Sequence, residues 1–457
     1  MAILTYLKQR QFDDWLIGYD SREFYQLSHQ LFSDWSKQTN REAPLKILLA
    51  EKDSVRFLAS FVAAVAANCQ VFLCNPNWVE QEWQQVFNLI QPDLILGDVP
   101  NYIPEIYSKN EENNEAKIMI PTGGTSGKVR FAIHTWETLI ASAHGFKQYF
   151  EEQSINSFCV LPLYHVSGLM QFIRSFTTGG KIVILPFKSM AAMVKNGERK
   201  NFYISLVPTQ LAQLLNKEMA TWLSDFKAVL LGGAPAWAEL LEQARNFHIP
   251  IALTYGMTET ASQIVTLKPE AFLRGNNSNG QVLPHAQLTI QNSTGKQLGV
   301  NQIGLITIKS DSLMLGYYPH FLTDQLYFQT DDLGFFDVQG YLTIVGRNSN
   351  KIITGGENVF PGEVEAAIQA TKLVVDVCVI GISDLHWGQA VTAIYVPRTE
   401  TVSQELLKSF IEDKLSKYKQ PKYWLRVESL PRNYQGKVNI EQLKKLVNIR
   451  LNSLTSV

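Results

Sequence analysis

The chain has 457 residues, 46% of them hydrophobic and 18% charged, and 41 basic against 42 acidic side chains leave a formal charge of −1. That composition excludes a disordered chain, which needs fewer apolar residues and more net charge, and near neutrality removes the basic footprint of a nucleic-acid binder. At roughly 150 residues per domain the length predicts about three folded units.

The opening run MAILTYLKQRQFDDW lacks the basic start, apolar stretch and small-residue cleavage site of a secretory leader, so a cytoplasmic protein is expected. The longest apolar stretch, Leu58 to Cys74, is broken by Asn68 and Gln70. It falls short of a membrane span, which takes about 20 apolar residues, and predicts a small-residue helix followed by a strand over Val71–Cys74. Cys69, Cys74, Cys159 and Cys378 have the spacing of neither a redox pair, a zinc site nor a disulfide framework, and reduced thiols are expected. Apolar runs at Lys46–Ala50, Asp93–Leu96, Lys181–Leu185 and Ala228–Leu231, separated by helix-compatible stretches, predict α/β layers with largely parallel sheets.

The polar segment Tyr107–Lys117 reads as a solvated connection, and the strand candidate Ile118–Ile120 after it leads into Pro121 to Arg130. There Gly123, Gly124 and Gly127 let the backbone approach an anion, Thr122, Thr125 and Ser126 can donate to phosphate oxygens, and Lys128 and Arg130 supply charge. The run is not a Walker A loop, because Val129 rather than a hydroxyl residue follows Lys128. It reads equally as an ordinary tight turn. In LPLYHVSG, Leu161–Gly168, His165 ends an apolar stretch, as a core histidine or a site residue, and Arg174 follows it. In LTYGMTETAS, Leu253–Ser262, Tyr255 is suited to stack on a nucleobase, Thr258 to bond a phosphate and Glu259 to hold Mg²⁺ as a hard oxygen ligand. The alternative is a helix cap at Thr258 or Thr260.

From Gly280 to Gly346 the texture changes to alternating or β-branched runs at Gln287–Gln291, Leu305–Lys309, Phe335–Asp337 and Tyr341–Val345, which predict a smaller antiparallel unit. Beyond Arg347, runs at Gly362–Ala370, Val374–Ile382, Val391–Val396 and Glu405–Leu415 give a second domain its own helices and strands, joined near Arg347–Asn350.

Taken in order, PTGGTSGK, TYGMTET, TDDLG, GRNSNKIITGGENVFPGEVE and PRNYQGKV resemble the motifs of the acyl-adenylate-forming ligases, from about Ile118 to Val438. The resemblance implies an α/β fold with a large N-terminal domain, 1–347, of two α/β sheets plus a small β-barrel, and a small mobile α+β C-terminal domain, 348–457. It also implies the chemistry: a carboxylate and MgATP give an acyl-AMP and pyrophosphate, the small domain rotates, and the thiol of coenzyme A displaces AMP. ATP, Mg²⁺ and coenzyme A are therefore the expected cofactors.

Carried over by position, Thr122, Gly123, Gly124, Thr125, Ser126, Gly127 and Lys128 form the loop gripping the β and γ phosphates. Gly233, Ala234 and Pro235 border adenine, with Tyr255 and Gly256 against it. Thr258 meets the α phosphate, Glu259 the magnesium, Asp332 the ribose hydroxyls and Arg347 the ribose edge. The hinge falls at Ser349, and Lys437 is the catalytic lysine bridging the acyl carboxylate and α phosphate, although composition alone reads it as a surface lysine. Gly355, Gly356 and Glu357 match the loop beside the coenzyme A arm, and Trp387 reads as packing. The phosphate loop departs from the commoner TSGTTGKPK; Asp331 replaces a usual glycine and Asn350 a usual aspartate. Adenylation is nevertheless expected.

Within that superfamily, LPLYHVSG followed by Arg174 resembles the o-succinylbenzoate:CoA ligases of menaquinone and phylloquinone biosynthesis. Their substrate carries two carboxylates, one to react and one that needs a cationic partner. The resemblance puts His165 and Arg174 at the acid, with Arg174 suited to bidentate binding of the second carboxylate. From the residue pattern alone, Arg174 reads as readily as the exterior of a helix. The expected partners are small molecules, with no nucleic acid and no membrane span, and no motif fixes an oligomeric state. Ligation of another aryl or medium-chain acid, or nucleotide binding without turnover, are the competing functions.

Overall fold

The computed structural model describes residues 2–38, 43–100, 117–123, 129–193, 199–322, 327–384, 386–432 and 438–454. The apolar runs of the first half become strands of two large sheets. One has eight strands in the order 16–17, 182–184, 156–159, 202–206, 228–231, 251–257, 262–266 and 281–282; the first six run parallel and the last two turn antiparallel. The other has seven, in the order 320–321, 316–317, 129–134, 117–123, 70–73, 46–49 and 94–96. Its last four are parallel, and the rest pair antiparallel.

The helices Ser54–Ala66 and Val166–Thr178 share one apolar cluster with Ile47, Leu49, Val71 and Leu73 of the seven-stranded sheet and with Cys159, Ile182 and Ile184 of the eight-stranded one. Both helices are buried almost all round, as a helix lying between two layers must be. The run that the sequence marked as too short to span a membrane is thus the start of this core, and no helix among the described residues is long and apolar enough to cross a membrane. All four cysteines are buried and free.

The predicted antiparallel unit is a four-stranded sheet, Ala286–Gln291, Gly304–Ser310, Phe328–Phe336 and Leu342–Arg347. A hairpin inside it, Gly316–Tyr317 with His320–Phe321, leaves to pair with the seven-stranded sheet, Tyr317 opposite Ala132. Apolar packing explains the departure: Tyr318 meets Phe72 edge-on at 4.9 Å, in the cluster that also holds Phe131 and Trp83. From Ile352 onward a further sheet forms, 357–359, 352–354, 388–397 and 374–384, with 423–426 pairing alongside 388–397. Along Val374–Asp384 the side chains alternate between two clusters, Val377 and Val379 in one, Cys378, Ile380 and Ile382 in the other, and among the described residues every member of both clusters lies beyond 351.

Candidate active site

The strands Ala228–Leu231 and Ile251–Met257 run parallel, with Leu231 opposite Leu253, so the chain leaving each of them emerges at the same sheet edge. After the first come Gly233, Ala234 and Pro235, all exposed. On the second, two residues beyond Leu253, Tyr255 is 9% exposed and donates its hydroxyl to Asp332 Oδ2 at 2.8 Å. Asp332 Oδ1 lies 3.3 Å from Arg347 Nε, because the two residues face each other across antiparallel strands. Burial, and then the Asp332 charge, push the Tyr255 phenol up, so it stays a donor. The carboxylate is thereby fixed in orientation. A bulge follows at Gly256, which is exposed.

Thr258–Thr260 forms a single 3₁₀ turn rather than the start of a helix. His134, fully buried, approaches the Thr258 carbonyl with Nε2 at 2.8 Å and the Thr138 hydroxyl with Nδ1 at 3.0 Å. A carbonyl only accepts, so the proton sits on Nε2, and burial holds the ring neutral by lowering its pKa to about 4. Glu259, 8% exposed, accepts at Oε1 from the Tyr317 hydroxyl at 2.6 Å and from Thr122 Oγ1 at 3.4 Å. Tyr317 in turn lies under the Arg130 guanidinium, 4.6 Å from the ring centre. Burial and the Glu259 charge raise its phenol, which again keeps the donor protonated.

Thr122 pairs with Arg130, and Gly123 with Val129, at the mouth of a hairpin. Gly124, Thr125, Ser126, Gly127 and Lys128 lie outside the described residues, as does Lys437. Among the described residues no cluster of three or more metal-ligating side chains occurs. That donor set suits Mg²⁺ held by one carboxylate, Glu259 through its remaining oxygen, together with phosphate oxygens of a nucleotide.

His165 occupies the position before the helix Val166–Thr178, half-buried, its ring 4.5 Å from that of Tyr164. Arg174, on the same helix, is 2% exposed, which removes the exterior reading. Its Nη2 donates to Gln263 Oε1 at 2.8 Å and Ser262 Oγ at 3.1 Å, and its guanidinium lies 4.3 Å from the centre of Phe146. Burial lowers its pKa to about 9, so the cation persists at neutral pH, and among the described residues it makes no ion pair. Ser262 reaches it from a strained backbone: Ala261 and Ser262 have φ of 48° and 96°, consecutive left-handed conformations in residues other than glycine.

The hinge candidate Ser349 sits in the 3₁₀ turn Asn348–Asn350. Its amide donates to Asp331 Oδ1 at 3.1 Å and its hydroxyl to Asp331 Oδ2. The aspartate that replaces a usual glycine therefore caps the turn in which Asn350 replaces a usual aspartate. Gly355 and Gly356, with φ of 56° and 86°, form the two-residue turn between Ile352–Thr354 and Glu357–Val359, a conformation that favours glycine at both places. Gly355 donates its amide to the Trp387 carbonyl at 2.9 Å beside the indole, giving Trp387 a packing role. Glu357 is exposed.

The structure thus links Thr122, Tyr255, Thr258, Glu259, Asp332 and Arg347 around one sheet edge and sets Arg174 beside the same strand pair, whereas among the described residues no hydrogen bond or ion pair joins Gly355, Gly356 or Glu357 to them. Sequence reasoning missed His134 and Tyr317. Each reaches the Thr258–Glu259 turn from another sheet, and neither has a local pattern that names its partner.

The chain matches the AMP-binding enzyme family over residues 97–318 and the AMP-binding enzyme C-terminal domain over 363–437. It is 30% identical over 475 residues to a 2-succinylbenzoate–CoA ligase of Bacillus anthracis, covering 97% of this chain and 98% of the relative. Among solved structures it is similar to an o-succinylbenzoate CoA synthetase from Bacillus subtilis in complex with the acyl-adenylate intermediate OSB-AMP, at TM-score 0.80 and 26% identity over 96% of this chain and 97% of that one. The same synthetase in complex with ATP and magnesium ion matches at TM-score 0.78 and 26% identity over 96% and 99% of the two chains.

Proposed function

The chain belongs to the AMP-binding enzyme family, and from that premise we propose that it ligates 2-succinylbenzoate to coenzyme A through an acyl-AMP, releasing AMP and pyrophosphate. ATP, Mg²⁺ and coenzyme A are the cofactors of this reaction. The observation that carries the choice of acid is the Arg174 cation, buried without an ion pair among the described residues and bonded to Ser262 and Gln263 just beyond the Thr258–Glu259 turn. A fatty acyl chain offers such a cation nothing; a second carboxylate offers it a counter-charge.

In the first half-reaction a carboxylate oxygen attacks the α phosphorus and pyrophosphate leaves. Two anions must approach, so the work of the protein is to hold them and neutralise charge. Asp332, oriented by Tyr255 and Arg347, accepts from the ribose hydroxyls; Thr258, fixed through its carbonyl by His134, turns its side chain to the α phosphate. Glu259, anchored at Oε1 by Tyr317 and Thr122, would hold Mg²⁺, which supplies charge neutralisation along the phosphates. Lys437 bridges carboxylate and α phosphate, with Thr122 to Lys128 on the β and γ phosphates. In the second half-reaction the thiol sulfur bonds the acyl carbon, the acyl–phosphate bond breaks and AMP leaves, with Gly355, Gly356 and Glu357 beside the pantetheine arm.

Residues 1–347 and 348–457 act as two bodies hinged at Ser349, a division supported by the two apolar clusters confined to the later residues. The enzyme works in the cytoplasm on small molecules, without nucleic acid. The test is product identity. Incubation with 2-succinylbenzoate, MgATP and coenzyme A should yield AMP and pyrophosphate in equal amounts with the thioester, by chromatography and phosphorus NMR. ADP in place of AMP would reject the adenylate route.

A further inference from the structure

Arg174 does not stand alone. His285 lies in the turn between Gln281–Val282 and Ala286–Gln291, and its ring is pressed against Gly145, where a Cβ would sit 1.8 Å from His285 Nδ1. The next residue on that helix, Phe146, is the ring over which the Arg174 guanidinium lies. One helical step therefore seats both side chains, and only glycine leaves room for the imidazole.

Both ring nitrogens of His285 are cut off from solvent and have no hydrogen-bond partner among the described residues; the same holds for Arg174 Nε and Gln263 Nε2. Buried polar groups in folded proteins are nearly always paired, so several orphans around one guanidinium ask for a polar ligand. The orphans also fix its sign. Arg174 Nε and Gln263 Nε2 only donate, and His285 is neutral at pH 7, its pKa lowered to about 4 by burial and then by the Arg174 charge against an opposing effect of Asp311, so it has one N–H to give. An excess of donors around a cation fits an anion. The left-handed pair Ala261–Ser262 on the same side adds backbone strain of the kind kept where a site requires it.

We propose that His285 is a specificity-determining residue whose ring N–H, together with the Arg174 guanidinium, holds the non-reacting carboxylate of the acid substrate. The assignment rests on the acid:CoA ligase reading above and adds a residue that no motif singles out. It predicts that His285 matters only for acids that carry the second carboxylate.

The experiment compares 2-succinylbenzoate with 3-benzoylpropionate, which lacks the ring carboxylate, in AMP-forming assays of the full chain. His285→Phe should raise KM for the diacid roughly ten-fold or more while leaving the monoacid within about two-fold, and His285→Gln, which keeps an N–H, should recover much of the loss. His285→Leu takes the place of the phenylalanine variant should that fail to fold. Equal changes for the two acids, or an unchanged diacid KM in the variants without a donor, would overturn the assignment while the ligase reading stands. A wild-type enzyme that forms no AMP from the diacid would instead sink the ligase reading, and this assignment with it.

Discussion

Arg174→Met is expected to leave the protein folded at least as stably as the wild type while lowering kcat/KM for 2-succinylbenzoate by roughly 30-fold to several-thousand-fold, equivalent to about 2–5 kcal/mol. The two halves of this expectation have one cause. Arg174 is 2% exposed and, among the described residues, bonded only to a neutral hydroxyl and a neutral amide, so the free protein bears the cost of desolvating a cation that has no counter-charge among them. That cost is several kcal/mol, and replacing such a group by an apolar one of similar volume is often neutral or stabilising. Contact with Phe146 and two hydrogen bonds offset part of it, and methionine keeps much of the packing. A carboxylate substrate would remove the imbalance, so under the proposed function the same residue is expected to cost stability and confer selectivity. Thermal melting and steady-state kinetics on one preparation check both halves. A large drop in melting temperature with unchanged acid preference would mean that Arg174 serves the core instead.

Lys437→Ala is expected to lower acyl-AMP formation by roughly 10²- to 10³-fold or more, the usual consequence of losing one positioned charge-stabilising group, yet to leave conversion of supplied acyl-AMP and coenzyme A to thioester nearly unchanged. The first half-reaction brings a carboxylate toward a phosphate and needs a cation between them. The second expels AMP from an acyl phosphate and has no such encounter. Lys437 lies outside the described residues, but the chain on either side is held: Asn439 donates to the Pro431 carbonyl at 2.8 Å, Arg432 pairs with Val438, and Arg432 is 2.5 Å from Asp376. Separate assays, pyrophosphate release for the first step and thioester formation from synthetic acyl-AMP for the second, check the division. Equal losses in both would contradict it.

The features legible in the sequence were chiefly local. Strands such as Ala228–Leu231 follow from short β-rich runs, and Tyr255, Thr258 and Glu259 could be read together because they share one strand end. Contacts between distant segments were not legible. Tyr317 meets Glu259 because apolar packing of Tyr318 against Phe72 draws a hairpin out of the antiparallel unit and across to another sheet, and no periodicity announces that. Burial of Arg174 was undecidable for a related reason. A lone arginine on an apolar helix can extend its head to water along its own stem or turn inward, and only the layers on both sides of Val166–Thr178 exclude the first. Asp331 and Asn350 read as two separate departures from a motif; the capping of Ser349 by Asp331 makes them parts of one arrangement.

In the proposed function, substrate choice turns on the buried Arg174 cation, which would select an acid with two carboxylates. The most direct measurement is therefore the rate of AMP formation by the wild-type enzyme, as kcat/KM, for 2-succinylbenzoate beside 3-benzoylpropionate, benzoate and a medium-chain fatty acid. A preference for the diacid of at least roughly 30-fold over each monoacid is predicted, in line with the contribution assigned to Arg174. Equal rates across the panel, or faster use of a monoacid, would contradict it.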